Sequence, residues 1–290
     1  MYAAVESIVH DGLLSTLVVC DVLNVSRSAF YAWLQRTPAR REEKDMELMP
    51  IVRRIFYRHK RRYGARRIVE ELKDLGHACG ERRAAKLLEV QGLKAIQPKS
   101  FKPRTTESRH TLGYSPNLLL EFEEPERIDQ LWVGDITYVP LVGNRFLYLA
   151  VLMDRYSRRI VGWKLSDDMT EALVIAVLRR AIGERQPRAT LVHHTDRGGQ
   201  YAGTRYRDML RRAEMQQSMS RADNCYDNAF MESCFGSLKT ELEMRAYANE
   251  RIARKEIPDY IRYYNTRRRH SAFEYLTPEE FETVSSHGCT

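Results

Sequence analysis

Three consecutive segments between residues 131 and 165 constrain the fold of this chain more than any other feature. Leu131–Leu141, Phe146–Met153 and Ile160–Leu165 are rich in apolar, β-branched and aromatic residues, and Gly143-Asn144 lies between the first two. Such side chains fit a pleated sheet, and short turns join antiparallel neighbours. The pattern therefore predicts three β-strands in a meander of hairpins.

The segments that follow alternate between helical and strand patterns. Thr170 is placed to cap a strongly apolar helix, and two short strands and two more helices come after it. These elements are predicted at Glu171–Ile182, Thr190–His194, Thr204–Ala213, Gln216–Ser220 and Asn228–Met244. The order predicts an α/β fold, with a mixed five-stranded sheet and helices on both faces.

The chain before this region predicts helices only. Residues 13–36 contain two short helical patterns around a turn, where Ser26 can cap the second helix. A DNA-reading helix-turn-helix and a plain helical hairpin explain this pattern equally well. Residues 45–95 predict three more helices, and Gly76 and Gly92 are suited to end two of them, since glycine readily adopts the conformation of a helix C-terminus.

Changes in composition divide the chain into five parts. They are a helix-turn-helix-like segment at 1–40, a basic helical domain at 41–98, a linker at 99–125, the α/β core at 126–248 and a basic C-terminal helical tail at 249–290. The linker is basic, polar and contains proline, as segments between domains commonly are.

Positive charge is concentrated outside the predicted sheet. The chain has 47 lysines and arginines against 39 aspartates and glutamates, a net charge of +8. Residues 53–109 hold 17 basic and 6 acidic residues, and residues 251–269 hold 7 basic and 2 acidic residues. One basic run is commonly a solvated helix face, but two runs around a mildly acidic centre favour a nucleic-acid partner.

Simple patterns exclude several classes of protein. The chain has no run of about 18 apolar residues and no basic region at its start, so neither a membrane span nor a secretory signal is predicted. Its 5 cysteines form no C-x-x-C pair, which argues against a disulfide framework or a structural zinc site. A reduced cytosolic compartment is expected.

Three acidic residues stand where secondary structure would direct them toward one point of the sheet. Asp135 lies inside the first strand, Asp196 follows the fourth strand, and Glu232 lies in the last helix of the core. An aspartate within a strand is locally unfavourable, and open α/β sheets bind ligands at the carboxyl ends of strands. Each acid alone is commonly structural, and Asp154 is better explained as a turn residue. The ordered combination indicates a site.

Converging carboxylates suit metal-assisted phosphoryl transfer. Hard oxygen ligands favour Mg²⁺ or Mn²⁺, and two ions about 3.5–4 Å apart can act on both the attacking and the leaving oxygen. Lys239 lies two turns after Glu232 on one stripe of the helix, where its charge can meet a phosphate.

The motifs around these acids resemble a known family. Trp132–Tyr138, His194–Tyr201 and Asp227–Ala229, leading to Glu232 and Lys239, are similar to the DDE integrase core of retroviral integrases and bacterial transposases. The C-terminal blocks Tyr260–Asn265, Arg267–His270 and Thr277–Phe281 extend the likeness, as do the upstream blocks Val25–Trp33 and Arg62–Ile68. The resemblance is closest to the second-reading-frame transposases of the IS-three insertion-sequence family and covers nearly the whole chain.

The resemblance implies a ribonuclease H-like core that cuts and joins DNA strands. Asp135, Asp196 and Glu232 are implied as catalytic ligands of Mg²⁺ or Mn²⁺, with two ions, and Lys239 and Asn228 as DNA contacts. The implied chemistry is hydrolysis that releases a 3′-OH at the element end, followed by attack of that hydroxyl on another phosphodiester. The basic helical domain and the tail add predicted DNA contacts at Arg66, Arg67, Arg267, Arg268 and Arg269.

The resemblance also implies partners and a location. Element ends and target DNA are expected as substrates, with a homo-oligomer in the DNA complex. In this family an upstream first reading frame supplies a helix-turn-helix and a leucine zipper. This chain has no long heptad repeat, so it is expected to be the catalytic half. It is expected at the nucleoid of the bacterial cytoplasm.

Two other functions are compatible with the same residues. One is a non-catalytic DNA-binding protein or regulator, which would bind DNA without cutting it. The other is a ribonuclease H-like nuclease, which would cleave hybrids or damaged DNA without joining strands.

Overall fold

The protein is described by a computed structural model that covers residues 1–12, 14–35, 40–97, 113–221, 229–244 and 246–287. Its helices are α1 (Tyr2–His10), α2 (Thr16–Val22), α3 (Arg27–Leu34), α4 (Arg40–Arg58), α5 (Ala65–Asp74), α6 (Glu81–Val90), α7 (Glu171–Arg185), α8 (Gly199–Ala202), α9 (Thr204–Arg212), α10 (Ala229–Glu241), α11 (Glu250–Thr266) and α12 (Pro278–His287). Its strands are β1 (Leu131–Leu141), β2 (Arg145–Asp154), β3 (Ile160–Ser166), β4 (Val192–Thr195) and β5 (Gln216–Met219).

The five strands form one mixed sheet in the order β3-β2-β1-β4-β5. β1, β2 and β3 pair antiparallel, whereas β4 runs parallel to β1, and β5 runs parallel to β4. Gly143 and Asn144 turn the chain between β1 and β2 with φ angles of 85° and 56°, as their place in a tight hairpin requires. The predicted mixed five-stranded sheet is confirmed.

Helices cover both faces of the sheet because successive strand residues point to opposite sides. On one face, Leu131 and Val133 of β1 share a buried cluster with residues of α10 and α11. On the other face, Trp132 shares a cluster with residues of α7 and α9. A Cβ atom at Gly162 would lie 3.0 Å from the carbonyl oxygen of Val177, so glycine at this position lets α7 approach β3 closely.

The C-terminal helices α11 and α12 pack against the sheet. The buried cluster on the α10 face includes five residues of α11, which are Ala253, Ile257, Tyr260, Ile261 and Tyr264. Glu282 of α12 is also buried and accepts hydrogen bonds from Ser157, Arg159 and Arg185. Residues 250–287 thus complete the core that β1–β5 begin.

The upstream helices form two small clusters of their own. Val5, Val19, Cys20 and Phe30 are buried among α1, α2 and α3, and the hydroxyl of Ser26 accepts a hydrogen bond from the backbone of Ala29 at 3.5 Å, as predicted for a cap. The helix α1 was not predicted. No single described helix is long and apolar enough to cross a membrane, and only α2 and α3 together, bent by 117°, meet that length and composition.

The second cluster lies among α4, α5 and α6, and this helical domain docks against the C-terminal helices. Glu71 of α5 is buried and accepts hydrogen bonds from Arg58 and from Nε of Arg269, the latter at 2.6 Å. Tyr63 donates its hydroxyl proton to the carbonyl of Arg267 at 2.8 Å and accepts from the backbone N–H of Arg269. Ionic and polar contacts therefore hold the helical domain against α11.

Acid is expected to weaken this contact. Burial raises the pKa of Glu71, but hydrogen bonds from His59 and Arg269 and the charge of Arg269 outweigh it and bring that pKa to about 2, from 4.5. Because the pKa is lower in the folded protein, ionised Glu71 stabilises the fold above about pH 4.5, and this contribution is lost as pH falls toward 2. Between pH 5 and pH 3, the free energy of unfolding measured in urea should fall more steeply for the unmodified protein than for Glu71→Gln, by about 2 kcal/mol over this range.

The matched control is Glu81→Gln, because that side chain is 58% exposed. Glu81→Gln should keep the pH dependence of the unmodified protein. If the free energy of unfolding had the same pH dependence in the unmodified protein and in Glu71→Gln, these partners would not stabilise the ionised carboxylate of Glu71.

Candidate active site

Two of the predicted acids lie side by side on neighbouring strands. In the parallel pairing of β1 with β4, Gly134 lies opposite Thr195, so the next residues on the two strands are Asp135 and Asp196. β4 ends at Thr195, whereas β1 continues to Leu141. The pair therefore lies where β4 ends, at the carboxyl edge where α/β sheets commonly bind ligands.

Local backbone contacts fix both carboxylates. Oδ1 of Asp135 accepts a hydrogen bond from the backbone N–H of Ile136 at 2.7 Å. Oδ1 of Asp196 accepts one from the backbone N–H of Gly198 at 2.9 Å. Both side chains are half-buried. Each aspartate therefore has one oxygen held by its own loop or strand.

The third acid and the predicted basic contact lie on α10, which packs over β1 through Met231 and Leu238. Glu232 is in the first turn of α10 and is exposed, and Lys239 is in the last turn and half-buried. Burial lowers the pKa of Lys239, and the negative charge of Asp135 raises it. Lys239 therefore acts electrostatically on the same aspartate as Glu232 does.

The three acids repel one another at Asp135. Burial raises the pKa of Asp135 well above its ordinary value, and the charges of Asp196 and Glu232 raise it further. The backbone N–H of Ile136 and the charge of Lys239 lower it, but less strongly. Like charges gathered in a partly buried site disfavour ionisation unless a cation compensates them.

The structure does not gather all three acids into one closed group. Within the described part of the chain, no three His, Cys, Asp or Glu side chains lie close enough together to hold one metal ion. Asp135 and Asp196 are neighbours, whereas Glu232 is exposed on its helix. Of the three predicted ligands, Asp135 and Asp196 therefore form a pair. The third, Glu232, acts on Asp135 through its charge.

Other candidate residues near the strands have structural roles. Asp154 is fully buried and accepts hydrogen bonds from the backbone N–H groups of Asp129 and Ser157 at 2.6 and 2.7 Å, which confirms it as a turn residue. His193 and His194 are buried on opposite faces of β4, and His193 lies 2.6 Å from the hydroxyl of Tyr206. Neither histidine belongs to a metal-ligand group among the described residues.

Two of the arginines predicted to contact DNA are exposed. Arg66 projects from α5 with 75% of its side chain exposed and forms a surface pair with Glu81 at 3.3 Å. Arg267 follows α11 and is also exposed. Asn228, predicted as a further DNA contact, lies outside the described residues.

The other three predicted arginines lie mostly inside the protein. Arg268 is buried and donates from Nε to Glu241 at 2.9 Å. Arg269 is paired with Glu71 at 2.6 Å, and Arg67 donates to Glu241 at 3.4 Å. Their guanidinium groups pair with buried carboxylates, and the sequence did not indicate these partners. That Arg67, Arg268 and Arg269 contact DNA stays a prediction.

Comparison with protein families matches most of the chain. The integrase core domain matches residues 125–225 and again residues 213–278, and an HTH-like domain matches residues 41–101. The HTH-like match falls on α4–α6 and not on residues 13–36, where the sequence pattern had suggested one.

Several relatives are similar over nearly their full length. The transposase InsF for insertion sequence IS3A of Escherichia coli is 38% identical over 277 residues, which cover 94% of this chain and 96% of the relative. The transposase for insertion sequence element IS904 of Lactococcus lactis is 38% identical over 255 residues, covering 87% of this chain and all of the relative. A simian T-cell lymphotropic virus intasome structure is similar with a TM-score of 0.46 at 16% identity, covering 76% of this chain and 70% of that one.

The family matches cover the sheet and α10, which carry the candidate acids. The extent and identity of the match to InsF are those of members of one family. The chain therefore belongs to the integrase-core transposases of the IS3 family of insertion sequences.

Proposed function

We propose that this transposase cleaves DNA strands at the ends of its insertion sequence and joins the resulting 3′-OH to another phosphodiester, with Asp135, Asp196 and Glu232 as ligands of a divalent metal. The observation that carries the proposal is the register of β1 with β4, which sets Asp135 beside Asp196. The charge of Glu232 acts on Asp135 of this pair. Three carboxylates in one electrostatic site suit phosphoryl transfer.

The donor set fits Mg²⁺ or Mn²⁺. All three candidate ligands are carboxylates, the hard oxygen donors that these ions prefer, and Asp135 has a raised pKa because it is buried and lies among like charges. When bound, such ions, two in this proposal, supply Lewis-acid stabilisation and an activated oxygen nucleophile. The backbone N–H groups of Ile136 and Gly198 each hold one oxygen of these aspartates and so orient the two carboxylates as candidate ligands.

The groups around the acids would bind and orient DNA. Lys239 lies close enough to influence Asp135, so its ammonium can neutralise a phosphate that enters the site. The exposed guanidinium groups of Arg66 and Arg267 are proposed as further phosphate contacts, which position the duplex without reading its sequence. Asn228 is retained as a proposed contact with the DNA ends.

The proposal includes the assembly in which the reaction takes place. Cutting and joining act on both ends of an element, so a homo-oligomer on paired ends is proposed. A first-reading-frame product is proposed as the partner that recognises the terminal repeats. The reaction is placed at the nucleoid of the bacterial cytoplasm.

A strand-cleavage assay tests the proposed function. The full chain is incubated with labelled DNA that carries the ends of its own element, in Mg²⁺, Mn²⁺, Ca²⁺ or EDTA, with and without the upstream-frame product. Nicks with a free 3′-OH and joined products are expected in Mg²⁺ and Mn²⁺ only.

Three outcomes would contradict the proposal. Cleavage that persists in EDTA would exclude a metal-dependent site. DNA binding without nicks under every condition would indicate a regulator. Cleavage of RNA–DNA hybrids without strand joining would indicate a nuclease.

A further inference from the structure

We propose that Arg62 and Glu241 are positioning residues through which the helical domain, α4–α6, holds α10 in place over the acids of β1. The inference rests on the proposed role of Glu232, which lies on α10. It assigns to the helical domain a part in building the active site, besides any part in binding DNA. The contacts that carry it lie at the end of α10 remote from Glu232.

Arg62 reaches from the helical domain into the core. Its side chain is buried, and Nε donates a hydrogen bond to the backbone carbonyl of Glu241 at 3.1 Å. The guanidinium group lies 5.0 Å from the ring centroid of Tyr260 and 4.6 Å from that of Tyr263, both on α11. A cation at the last carbonyl of a helix is favourable, and the two aromatic faces offset part of the cost of removing it from water.

Glu241, the last residue of α10, joins three elements. Its carboxylate accepts hydrogen bonds from Arg67 of α5 at 3.4 Å and from Arg268, after α11, at 2.9 Å. The hydroxyl of Tyr260 donates to its other oxygen at 3.1 Å. The side chain is only 8% exposed, so these bonds are made in a low-dielectric environment where their geometry is restrictive.

The same contacts restrain the helix as a body. Arg268 also donates to the hydroxyl of Ser237 at 3.3 Å, one turn before Glu241. The other end of α10 is held separately, since the guanidinium of Arg155 lies 3.2 Å from the ring centroid of Phe230. A helix held at both ends cannot slide or rotate without breaking the buried polar contacts at Glu241 or the contact of Arg155 with Phe230.

Such restraint is relevant to the chemistry because a helix transmits a shift along its length. Nine residues separate the position of Glu241 from that of Glu232, which corresponds to about 13 Å along the axis. Lys239 lies between them, within the electrostatic reach of Asp135. A shift of about 1 Å in a catalytic group can lower a rate by about a hundredfold. Loss of the contacts of Arg62 and Glu241, which we call the clamp, should therefore impair the site although neither residue belongs to it.

The clamp also lies beside a proposed DNA contact. Arg66 and Arg67 are adjacent on α5, and the first is exposed while the second reaches Glu241. One turn of α5 thus presents one arginine to solvent and the other to α10. DNA held by the helical domain would therefore be held in a fixed relation to the acids.

The test compares Arg62→Ala with Arg61→Ala in the full chain. Arg61 is the matched control because it has the same charge in the same loop, but its side chain is 48% exposed and pairs with the exposed Glu243. Amide hydrogen exchange of residues 229–241 is measured without DNA. The single-turnover cleavage rate at saturating DNA and the Mn²⁺ concentration for half of the maximal rate are measured with it.

Arg62→Ala is expected to speed hydrogen exchange in α10, to lower the single-turnover rate by roughly tenfold or more and to raise the half-saturating Mn²⁺ concentration. Arg62→Lys should restore part of each effect, since it keeps the charge but not the planar contact with the two rings. Arg61→Ala should change none of the three. A merely structural role would lower the amount of folded protein and leave the half-saturating Mn²⁺ concentration of the folded fraction unchanged, and that result would overturn the inference.

The inference and the proposed function fail in different ways. If Glu232→Gln remains active, the proposed function is wrong. If Glu232→Gln is inactive but Arg62→Ala keeps its exchange, rate and half-saturating Mn²⁺ concentration, only the inference is wrong.

Should Arg62→Ala fail to fold, Glu241→Gln provides the second variant, because it keeps the shape of the side chain and removes its charge. Faster exchange in α10 and a raised half-saturating Mn²⁺ concentration would again support the clamp. Unchanged values would reject it.

Discussion

Asp135→Asn is expected to lower the rate of strand cleavage in Mg²⁺ by roughly a thousandfold and, at the same time, to stabilise the metal-free protein. The first effect follows because asparagine keeps the shape of the side chain but removes the negative charge that a divalent ligand set requires. The second follows because Asp135 lies among like charges, and its raised pKa means that the ionised form is unfavourable in the folded protein. Opposite effects on rate and on stability are typical of residues selected for function.

The two effects are measured separately. Single-turnover cleavage at saturating DNA gives the rate, and urea unfolding in EDTA at neutral pH gives the free energy. The sign of the stability effect follows from linkage, because a carboxyl with a raised pKa destabilises the fold as pH rises above its ordinary value, and asparagine has no such cost. Excess Mg²⁺ should stabilise the unmodified protein more than Asp135→Asn, since a ligand stabilises the state that binds it.

Asp168→Asn is the matched control, because Asp168 is an exposed aspartate two residues after β3. It should leave both the rate and the stability nearly unchanged. Full activity of Asp135→Asn would remove Asp135 from the proposed ligand set. A loss of activity together with a loss of stability would instead indicate that the carboxylate supports the strand.

The sheet and its acids could be predicted because their signals are local. Side chains of β1 alternate between two buried faces, and Gly143 and Asn144 suit a tight turn whatever the rest of the chain does. Asp135 was conspicuous because it interrupts an apolar strand. Asp196 was predicted just after the fourth strand, but the parallel pairing of β4 with β1, which sets Asp196 beside Asp135, is known only from the structure.

The roles of the arginines could not be predicted, because their partners are distant in sequence. Arg267, Arg268 and Arg269 are identical side chains in one run, and a charge count assigns all of them to DNA. Their burial is decided by Glu241, and by Glu71, which lies 198 positions from Arg269. Only the docking of the helical domain against α11 separates the inward side chains from the outward one.

Because Arg268 is buried and Arg267 is exposed, their substitutions should differ strongly in their effect on stability. Arg268→Met should lower the free energy of unfolding by about 3–5 kcal/mol, because it leaves the buried carboxylate of Glu241 without its shortest ion pair. Methionine fills a similar volume, so the loss of charge, and not a cavity, dominates. Arg267→Met should change the free energy by no more than about 0.5 kcal/mol, since Arg267 is exposed. Urea unfolding at pH 7 measures both.

DNA affinity should depend more on Arg267 than on Arg268, the reverse of their effects on stability. Arg267→Met is expected to weaken binding uniformly across DNA sequences and to reduce the salt dependence of the binding constant by about one unit of slope, as the loss of one phosphate contact does. Arg268→Met, measured where it is fully folded, should leave the salt slope unchanged, because a guanidinium paired inside the protein displaces no counterions from DNA. A reduced slope for Arg268→Met would mean that DNA draws Arg268 away from Glu241, and the end of α10 would then be free to move when DNA binds.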